Sequence, residues 1–287
     1  MVIILIISSV ALIFVSYSDS VESSRFPSSK PVFAYYYGWY SPYAWYGRIN
    51  GPNSLAVADI PLIGLYNSQN ISVIDIQISE ALSAGINGFI ASWWGPGSYT
   101  DNTDLILLNQ AASNFNDFSV TLLFETKIIQ DMNASYALEA TQIVKDVGYI
   151  MQTYSGNRAF TEIQGRPVLF FYGVDNWPLE FWVNVTFAIR SSYPSLLLIS
   201  DSFNLTDLSV FDGAASYVDL GFMTQSLPLQ GGTYTWFTQL SQAARSDGKY
   251  WFATASPGFN GTNDGKTQFP EVPRDDGTTF IRGWDIA

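Results

Sequence analysis

Short, almost wholly apolar runs alternate along the chain with longer segments in which apolar residues recur every three or four positions. The short runs are typical of strands buried on both faces, and the longer spacing is typical of amphipathic helices. The apolar runs predict strands at 32–37, 86–94, 119–125, 167–172, 196–200 and 249–255, with one more at 214–218 or 219–224. The helical spacing predicts helices at 72–84, 104–112, 135–154, 177–193 and 235–245.

Capping and turn residues set the ends of several of these elements. Ser72, with Asp75 three residues later, predicts the start of the first helix. Gly85 predicts its end, because glycine readily adopts the left-handed conformation that often follows a helix. Pro178 suits the first turn of the helix at 177–193. Pro167 opens the fourth strand, a position at which a missing N–H is tolerated.

The regular alternation of strand and helix predicts an α/β protein with a parallel sheet. Seven successive strands indicate a (β/α)8 TIM barrel, and no Gly-x-Gly-x-x-Gly motif follows the first strand to favour a doubly wound fold. Residues 280–287 have the pattern of the start of the seventh helix, so we expect the eighth strand to be missing from this chain. We therefore expect an incomplete TIM-barrel catalytic domain over 32–287, preceded by a linker at 21–31.

The N-terminal segment is apolar from Val2 to Val15, interrupted only by Ser8 and Ser9. Its length falls below the roughly 20 residues that span a membrane, and a polar segment follows it. This pattern predicts a signal peptide over 1–20, although 2–15 could also remain as a membrane anchor. Export also fits the five N-x-S/T sequons, at Asn70, Asn133, Asn184, Asn204 and Asn260. We expect a secreted or cell-surface glycoprotein.

Composition narrows the chemistry that the chain can perform. It has 13 Lys and Arg residues against 25 Asp and Glu residues, which argues against a nucleic-acid partner. It has no His and no Cys, which excludes a His-based triad, a thiol nucleophile and a His/Cys zinc site. Carboxylates, Tyr, Lys, Ser and Thr must therefore carry any chemistry. A metal site built from Asp and Glu oxygens is still compatible with this composition, but no EF-hand-like spacing appears, and we expect no cofactor and no metal.

Acidic residues stand at the ends of three predicted strands. Glu125 ends the third strand, Asp175 follows the fourth, and Asp201 follows the fifth. Barrel enzymes place catalysis at the C-terminal ends of their strands, so these three residues are the candidates for catalytic carboxylates. Each also has a structural interpretation. Asp175 could cap the next helix, and Asp201 could organise a turn with Ser202. Glu125 could form an ion pair with Arg48, Lys127 or Arg166.

Aromatic residues make up 16% of the chain, and several of them cluster at the same strand ends. Most aromatic side chains are expected in the core. Those at strand ends could instead pack against sugar rings, since Tyr and Trp combine a flat apolar face with a polar edge. The candidates for substrate binding are Tyr37, Trp39, Tyr40, Trp93, Trp94 and Tyr172.

Six segments, in this order, resemble the glycoside hydrolase family 99-like group, which includes endo-α-mannosidases and WbsX-like domains. They are 34–40 (AYYYGWY), 61–68 (PLIGLYNS), 85–95 (GINGFIASWWG), 123–125 (LFE), 165–168 (GRPV) and 256–259 (SPGF). The resemblance covers most of 32–287. It implies a TIM barrel that cleaves α-linked, mannose-type glycans by a retaining, carboxylate-driven mechanism, with an oligo- or polysaccharide as its partner and no metal in the chemistry.

The chain also departs from this family. Endo-α-mannosidases carry His-Ile-Glu-Pro-Tyr where this chain has Leu-Phe-Glu-Thr-Lys at 123–127, and no second glutamate lies close to Glu125. Since glycoside hydrolysis commonly uses two carboxylates, Asp175 and Asp201 are the candidates for the partner of Glu125. The alternative is a barrel without catalytic activity that serves as a carbohydrate-binding or cell-surface glycoprotein.

Overall fold

The computed structural model describes residues 30–46, 54–57, 59–202, 204–217, 232–260 and 271–286. The strands in these ranges are β1 (Phe33–Tyr36), β2 (Gly88–Trp93), β3 (Ser119–Glu125), β4 (Glu162–Ile163), β5 (Arg166–Tyr172), β6 (Leu197–Asp201), β7 (Gly213–Ala215) and β8 (Tyr250–Phe252). The α-helices are α1 (Ile71–Ser83), α2 (Tyr99–Asn114), α3 (Lys127–Gln130), α4 (Tyr136–Thr153), α5 (Leu179–Ser192), α6 (Gly232–Ser246) and α7 (Thr278–Ile286).

The sheet follows the order of the chain. Its parallel strands pair in the sequence β1-β2-β3-β5-β6-β7-β8, and β4 joins only as a short antiparallel partner of β5. A doubly wound sheet reverses its strand order at a switch point, and the described strands show no such reversal. The predicted TIM-barrel architecture is therefore confirmed, with seven parallel strands and no eighth one in the described residues.

The two faces of the sheet pack against different partners. One face supplies residues such as Phe89, Leu122 and Phe171 to a large core that also contains helix residues. The other face supplies Ile90 and Leu123 to a smaller core formed by strand residues alone, as expected for the inside of a barrel. Because side chains alternate along a strand, these two cores fix which residues face inward.

Most predicted boundaries lie close to the observed ones. The third strand was predicted at 119–125, which is the extent of β3. The sixth predicted strand corresponds to β7 at Gly213–Ala215, and its alternative at 219–224 lies outside the described residues. Helix α2 begins five residues before its predicted start at 104, because Ser98 caps it by accepting a hydrogen bond from Asp101 N at 3.0 Å. That first turn was not predicted because residues 99–103 are mostly polar and lack the apolar spacing of a helix.

The predicted cap of α1 at Ser72 is wrong. Asn70 is the capping residue, and its side chain accepts a hydrogen bond from Ser72 N at 3.0 Å. Asparagine is among the best residues at this position because its short side chain reaches the free N–H groups of the first turn. The predicted end is confirmed: the helix stops at Ser83, and Gly85 follows with a φ of 79° in the left-handed region.

None of the helices in the described ranges has the length and hydropathy needed to cross a membrane. The predicted signal peptide or anchor at 1–20 lies outside those ranges.

Candidate active site

Glu125 is the last residue of β3 and lies on the inner side of the sheet, two positions after the inward-facing Leu123. Its side chain is buried, with 6% of its surface exposed. Ser92, near the end of β2, donates a hydrogen bond from Oγ to Glu125 Oε1 at 2.5 Å. Trp94 Nε1 donates to the same Ser92 oxygen at 2.9 Å. The indole therefore leaves the single hydroxyl proton of Ser92 directed toward the carboxylate.

The ion pairs considered for Glu125 do not form among the described residues. Lys127 pairs with Asp131, and Arg166 pairs with Asp212 at 3.7 Å. Arg48 lies outside the described ranges. Burial, which penalises the charged form, raises the pKa of Glu125 to about 7, although the hydrogen bond from Ser92 lowers it. At neutral pH, this carboxyl group can therefore both hold and release a proton.

Asp201 is the last residue of β6 and is also buried. Its Oδ1 accepts a hydrogen bond from the backbone N–H of Tyr217 at 2.8 Å. Burial raises the pKa of Asp201 to about 7; the hydrogen bond from Tyr217 lowers it, and the negative charges of Asp175 and Glu125 raise it further. Glu125 thus lies close enough to Asp201 for its charge to affect the Asp201 carboxyl group.

Asp175 differs from these two acids because it is exposed. It lies in a short 3-10 turn, Val174–Asn176, directly after β5. Asp175 does not cap the next helix, because α5 begins after Pro178 without a side-chain cap. Instead, Asp175 Oδ1 accepts a hydrogen bond from Ser202 Oγ at 2.8 Å. Its contribution to the site is the negative charge that it holds near Asp201.

Tyrosine rings surround the two buried carboxyl groups. Tyr217 lies at the centre, with its ring 5.0 Å from that of Tyr35, 6.4 Å from that of Tyr37 and 5.2 Å from that of Tyr172. The hydroxyls of Tyr37 and Tyr217 form a short hydrogen bond. Tyr172 pairs with Glu125 in the β3–β5 register. Burial, followed by the nearby acidic groups Asp201, Tyr217 and Glu125, raises the pKa of Tyr172 to about 12. These phenols stay neutral near pH 7.

Two of the predicted aromatic residues extend outward from this cluster. The ring of Trp39 lies 4.7 Å from that of Tyr37. Tyr40 follows, 6.3 Å from Trp39, and stacks on Trp45 at 4.1 Å. Both Trp39 and Tyr40 are partly exposed. An aromatic surface therefore runs from the inside of the sheet along the loop after β1.

The assignment of Trp93 to substrate binding is wrong. Trp93 is fully buried and belongs to the core between the sheet and the helices. Its Nε1 donates to Asp101 Oδ1 at 2.7 Å, and its ring lies 5.2 Å from that of Phe124. The alternation of side chains explains the error, because Ser92 and Trp94 face inward and the residue between them must face outward.

Three residues of the site were not predicted from the sequence: Ser92, Tyr217 and Thr254. Ser92 could have been found by counting alternate residues along β2 from the inward-facing Ile90. Tyr217 follows β7, whose predicted position was left open between 214–218 and 219–224. Thr254 lies beyond β8, near the Tyr35 side chain, and its hydroxyl donates to the backbone carbonyl of Ser216. No motif marks a threonine of this kind in the sequence.

The fold and these side chains define a TIM-barrel protein with a candidate carboxylate-based site at the C-terminal ends of its strands. The chain has the fold of the GH99 endo-α-mannosidase from Bacteroides thetaiotaomicron, with a TM-score of 0.73 and 20% sequence identity over 89% of this chain and 80% of that one. A second structure of that enzyme, in complex with bis-tris-propane, matches with a TM-score of 0.69 and 20% identity over 90% and 79% of the two chains. No family model matches the chain. The predicted resemblance is confirmed in the fold.

The raised pKa of Glu125 predicts a measurable dependence of stability on pH. A glutamate has a pKa of about 4.5 when unfolded and about 7 here, so the free energy of unfolding falls as pH rises from about 4.5 to 7. Glu125→Gln removes this loss while keeping an acceptor for Ser92. We expect this variant to gain on the order of 2 kcal/mol over wild type at pH 8 and little at pH 4.

Urea unfolding at several pH values measures this effect. Glu162→Gln, at an exposed position on β4, is the matched control and should follow the wild-type profile. If the Glu125→Gln and wild-type stability curves run parallel from pH 4 to 8, Glu125 does not have a raised pKa in the folded protein.

Proposed function

We propose that this protein is a glycoside hydrolase that cleaves α-linked, mannose-type glycans by carboxylate catalysis. The observation that carries the proposal is the pair Glu125 and Asp201. Both are buried at the inner, C-terminal ends of parallel strands, and both have a pKa of about 7. Two carboxyl groups of this kind are what most glycoside hydrolases use. The endo-α-mannosidase fold supports mannose-type substrates.

The environments of the two acids suggest different roles. Burial is the main cause of the raised pKa of Asp201, and the charges of Asp175 and Glu125 raise it further. In our proposal, the pair shares one proton near neutral pH, which Asp201 holds as the acid. Glu125, oriented by Ser92, is the ionised carboxylate that assists attack on the sugar. This division of roles fits the retaining mechanism that the family resemblance implies.

The remaining side chains suit a neutral sugar. Tyr37 and Tyr172 keep their hydroxyl protons at pH 7, because burial raises the pKa of both. They can therefore donate hydrogen bonds to sugar hydroxyls. Trp94 and Trp39 are partly exposed and can present their flat faces to sugar rings. Tyr40 stacks on Trp45 and lies farther from the two carboxyl groups along the same aromatic surface.

Replacing Glu125 tests the proposed chemistry. Glu125→Gln should lower kcat on an α-linked manno-oligosaccharide by about 10²–10⁴-fold, which is the usual contribution of a positioned acid or base. Binding of the same oligosaccharide, measured by calorimetry, should change little because the amide keeps its shape and its acceptor. Glu162→Gln is again the control and should keep full activity. Full activity in Glu125→Gln would refute the assignment.

The same assay distinguishes the alternative function. A full-length wild-type protein that binds α-linked glycans but turns over none of them would identify a carbohydrate-binding protein. This alternative is based on residues 123–127, where the chain has Leu-Phe-Glu-Thr-Lys in place of His-Ile-Glu-Pro-Tyr.

Two substitutions of Trp94 test its proposed contact with sugar separately from its hydrogen bond to Ser92. Trp94→Ala removes the aromatic face and should raise KM about tenfold, equivalent to about 1.4 kcal/mol. Trp94→Phe keeps an aromatic face but loses the Nε1–H donor, so its KM should stay close to wild type while the pH profile of kcat moves. Steady-state kinetics of both variants would show this difference. An unchanged KM in Trp94→Ala would mean that the indole does not contact sugar.

We also propose that the protein is secreted or displayed at the cell surface, on the basis of the apolar segment 2–15 and the five sequons. Expression of the natural gene in its host, followed by fractionation, tests this. We expect a mature N-terminus near residue 20 in the exported fraction, or an intact chain in the membrane fraction if the segment serves as an anchor. An intact chain found in the cytoplasm would contradict export.

A further inference from the structure

The sequon at Asn133 lies in an exposed turn between α3 and α4. Its three residues, Asn133, Ala134 and Ser135, all fall outside the helices and strands. Asn133 and Ser135 are exposed, and neither side chain forms a hydrogen bond with another described residue. The backbone of Asn133 has a φ of 48°, in the left-handed region that asparagine adopts more readily than most residues. The turn therefore presents both the amide and the hydroxyl of the sequon to solvent.

Two other sequons are built into α-helices. The sequon at Asn184 lies within α5, and Thr186 is buried, with its hydroxyl donating to Trp182 O at 2.8 Å. Asn70 caps α1, so the two residues that follow it form the first turn of that helix. Its side chain accepts a hydrogen bond from Ser72 N at 3.0 Å. Both sequons are therefore held by the hydrogen bonds of a helix.

The sequon at Asn204 is also part of a helical segment. Leu205 and Thr206 belong to a 3-10 turn, Leu205–Ser209. Asn204 Oδ1 accepts hydrogen bonds from both the backbone N–H and the hydroxyl of Thr206, at 3.1 and 2.9 Å. The sequon at Asn260 continues to residue 262, outside the described ranges. Among the four sequons that are described in full, the one at Asn133 is thus the only one without regular structure.

This difference matters because N-linked glycans are attached at surface loops. The transferring enzyme must bind the asparagine amide together with the Ser or Thr hydroxyl two residues later. At Asn70, Asn184 and Asn204, the folded chain would first have to break local hydrogen bonds to present both groups. The turn at Asn133 requires no such opening. In the folded protein, it is therefore the sequon best suited to modification.

The surface around this turn is unusually apolar for an exposed segment. Met132, Tyr136 and Leu138 have exposed fractions of 44%, 58% and 61%. Tyrosine rings can pack against the C–H faces of sugars, and a glycan is bulky and hydrophilic. A glycan linked to Asn133 would therefore cover part of an apolar surface that otherwise faces water.

We propose that Asn133 is the acceptor site for an N-linked glycan, an inference that rests on the proposed export of the chain. The donor is an oligosaccharide linked to a lipid phosphate. The amide nitrogen of Asn133 forms a bond to the anomeric carbon of this oligosaccharide and loses one proton. The bond between that carbon and the phosphate oxygen breaks, and the lipid phosphate leaves with the electron pair.

The position of the turn separates this site from the candidate active site. Ile129, just before the turn, is buried in the core between the sheet and the helices. The ring of Tyr136, just after it, lies 5.8 Å from that of Phe181, which belongs to the same core. Asn133 is therefore attached to the helix layer, whereas Glu125 faces the inner side of the sheet. The glycan can be tested without reference to hydrolysis.

The first experiment is peptide mapping by mass spectrometry of the full chain, purified from the exported fraction of its host. The peptide that contains Asn133 should carry a glycan. Asn133→Asp and Ser135→Ala should each lose the mass of one glycan, whereas Ser135→Thr should keep it because the sequon is retained. Ser135 makes no side-chain cap hydrogen bond at the start of α4, so Ser135→Ala should fold with a Tm close to that of wild type.

Asn184→Gln is the matched control, since it removes another exposed sequon asparagine and should leave the glycan mass unchanged. An exported wild-type chain whose Asn133 is unmodified would overturn the proposal. So would a Ser135→Ala variant that keeps the glycan.

The second experiment does not depend on export. The folded, unmodified full chain is incubated with a purified oligosaccharyltransferase that recognises N-x-S/T and with a lipid-linked oligosaccharide. Asn133 should be modified and Asn184 should not, whereas short peptides that contain either sequon should both be modified. Modification of Asn184 as readily as Asn133 in the folded chain would refute the structural argument. If the host retains the chain in its cytoplasm, export is wrong, and this experiment alone decides whether Asn133 is the acceptor site.

Discussion

The parallel pairing of successive strands is the constraint on which the site depends. When strands run in one direction and pair in chain order, their C-terminal ends meet at one edge of the sheet. Residues separated by long stretches of sequence then become neighbours, such as Ser92 and Glu125, whose side chains hydrogen-bond at 2.5 Å. Alternation along each strand decides which of the final residues face inward. Together, these two rules gather Glu125, Tyr172 and Asp201 on the inner side.

The same packing removes water from these carboxyl groups, and the protein replaces few of the hydrogen bonds that the water would make. Asp101, by contrast, has its hydrogen bonds to water fully replaced. It is buried on the outer side of the sheet and accepts four hydrogen bonds at 2.6–2.8 Å, from Trp93, Tyr149, Tyr154 and the N–H of Gly97. Glu125 and Asp201 are buried to a similar extent, but each accepts a single hydrogen bond from the described residues. Asp101 therefore joins two layers of the fold, whereas the other two carboxyl groups keep oxygens available for a ligand.

The sequence was sufficient for the fold and for part of the site. The strand at 119–125 could be predicted with its terminal Glu125 because an apolar run ends there in a charge. The face of each residue was harder to predict, since Trp93 and Trp94 look equivalent in sequence and only the register of β2 separates them. Tyr217 was not predicted because the position of the strand before it was left open, and its bond to Asp201 comes from a backbone N–H, a group that every residue except proline carries. The polar neighbours of the carboxylates depend on tertiary contacts that no local pattern records.

A raised pKa alone does not identify the site, as Asp104 demonstrates. Asp104 lies on α2 and is fully buried, and neither of its side-chain oxygens has a hydrogen-bond partner among the described residues. Burial, followed by the charge of Asp101, raises its pKa well above the ordinary range. Yet it lies on α2 next to Gly38, on the helix side of the sheet. Glu125 and Asp201 differ from it in position, since they face inward at strand ends among neutral phenols. The combination of burial, incomplete hydrogen bonding and location at the strand ends is what distinguishes a candidate catalytic acid from a buried acid of the core.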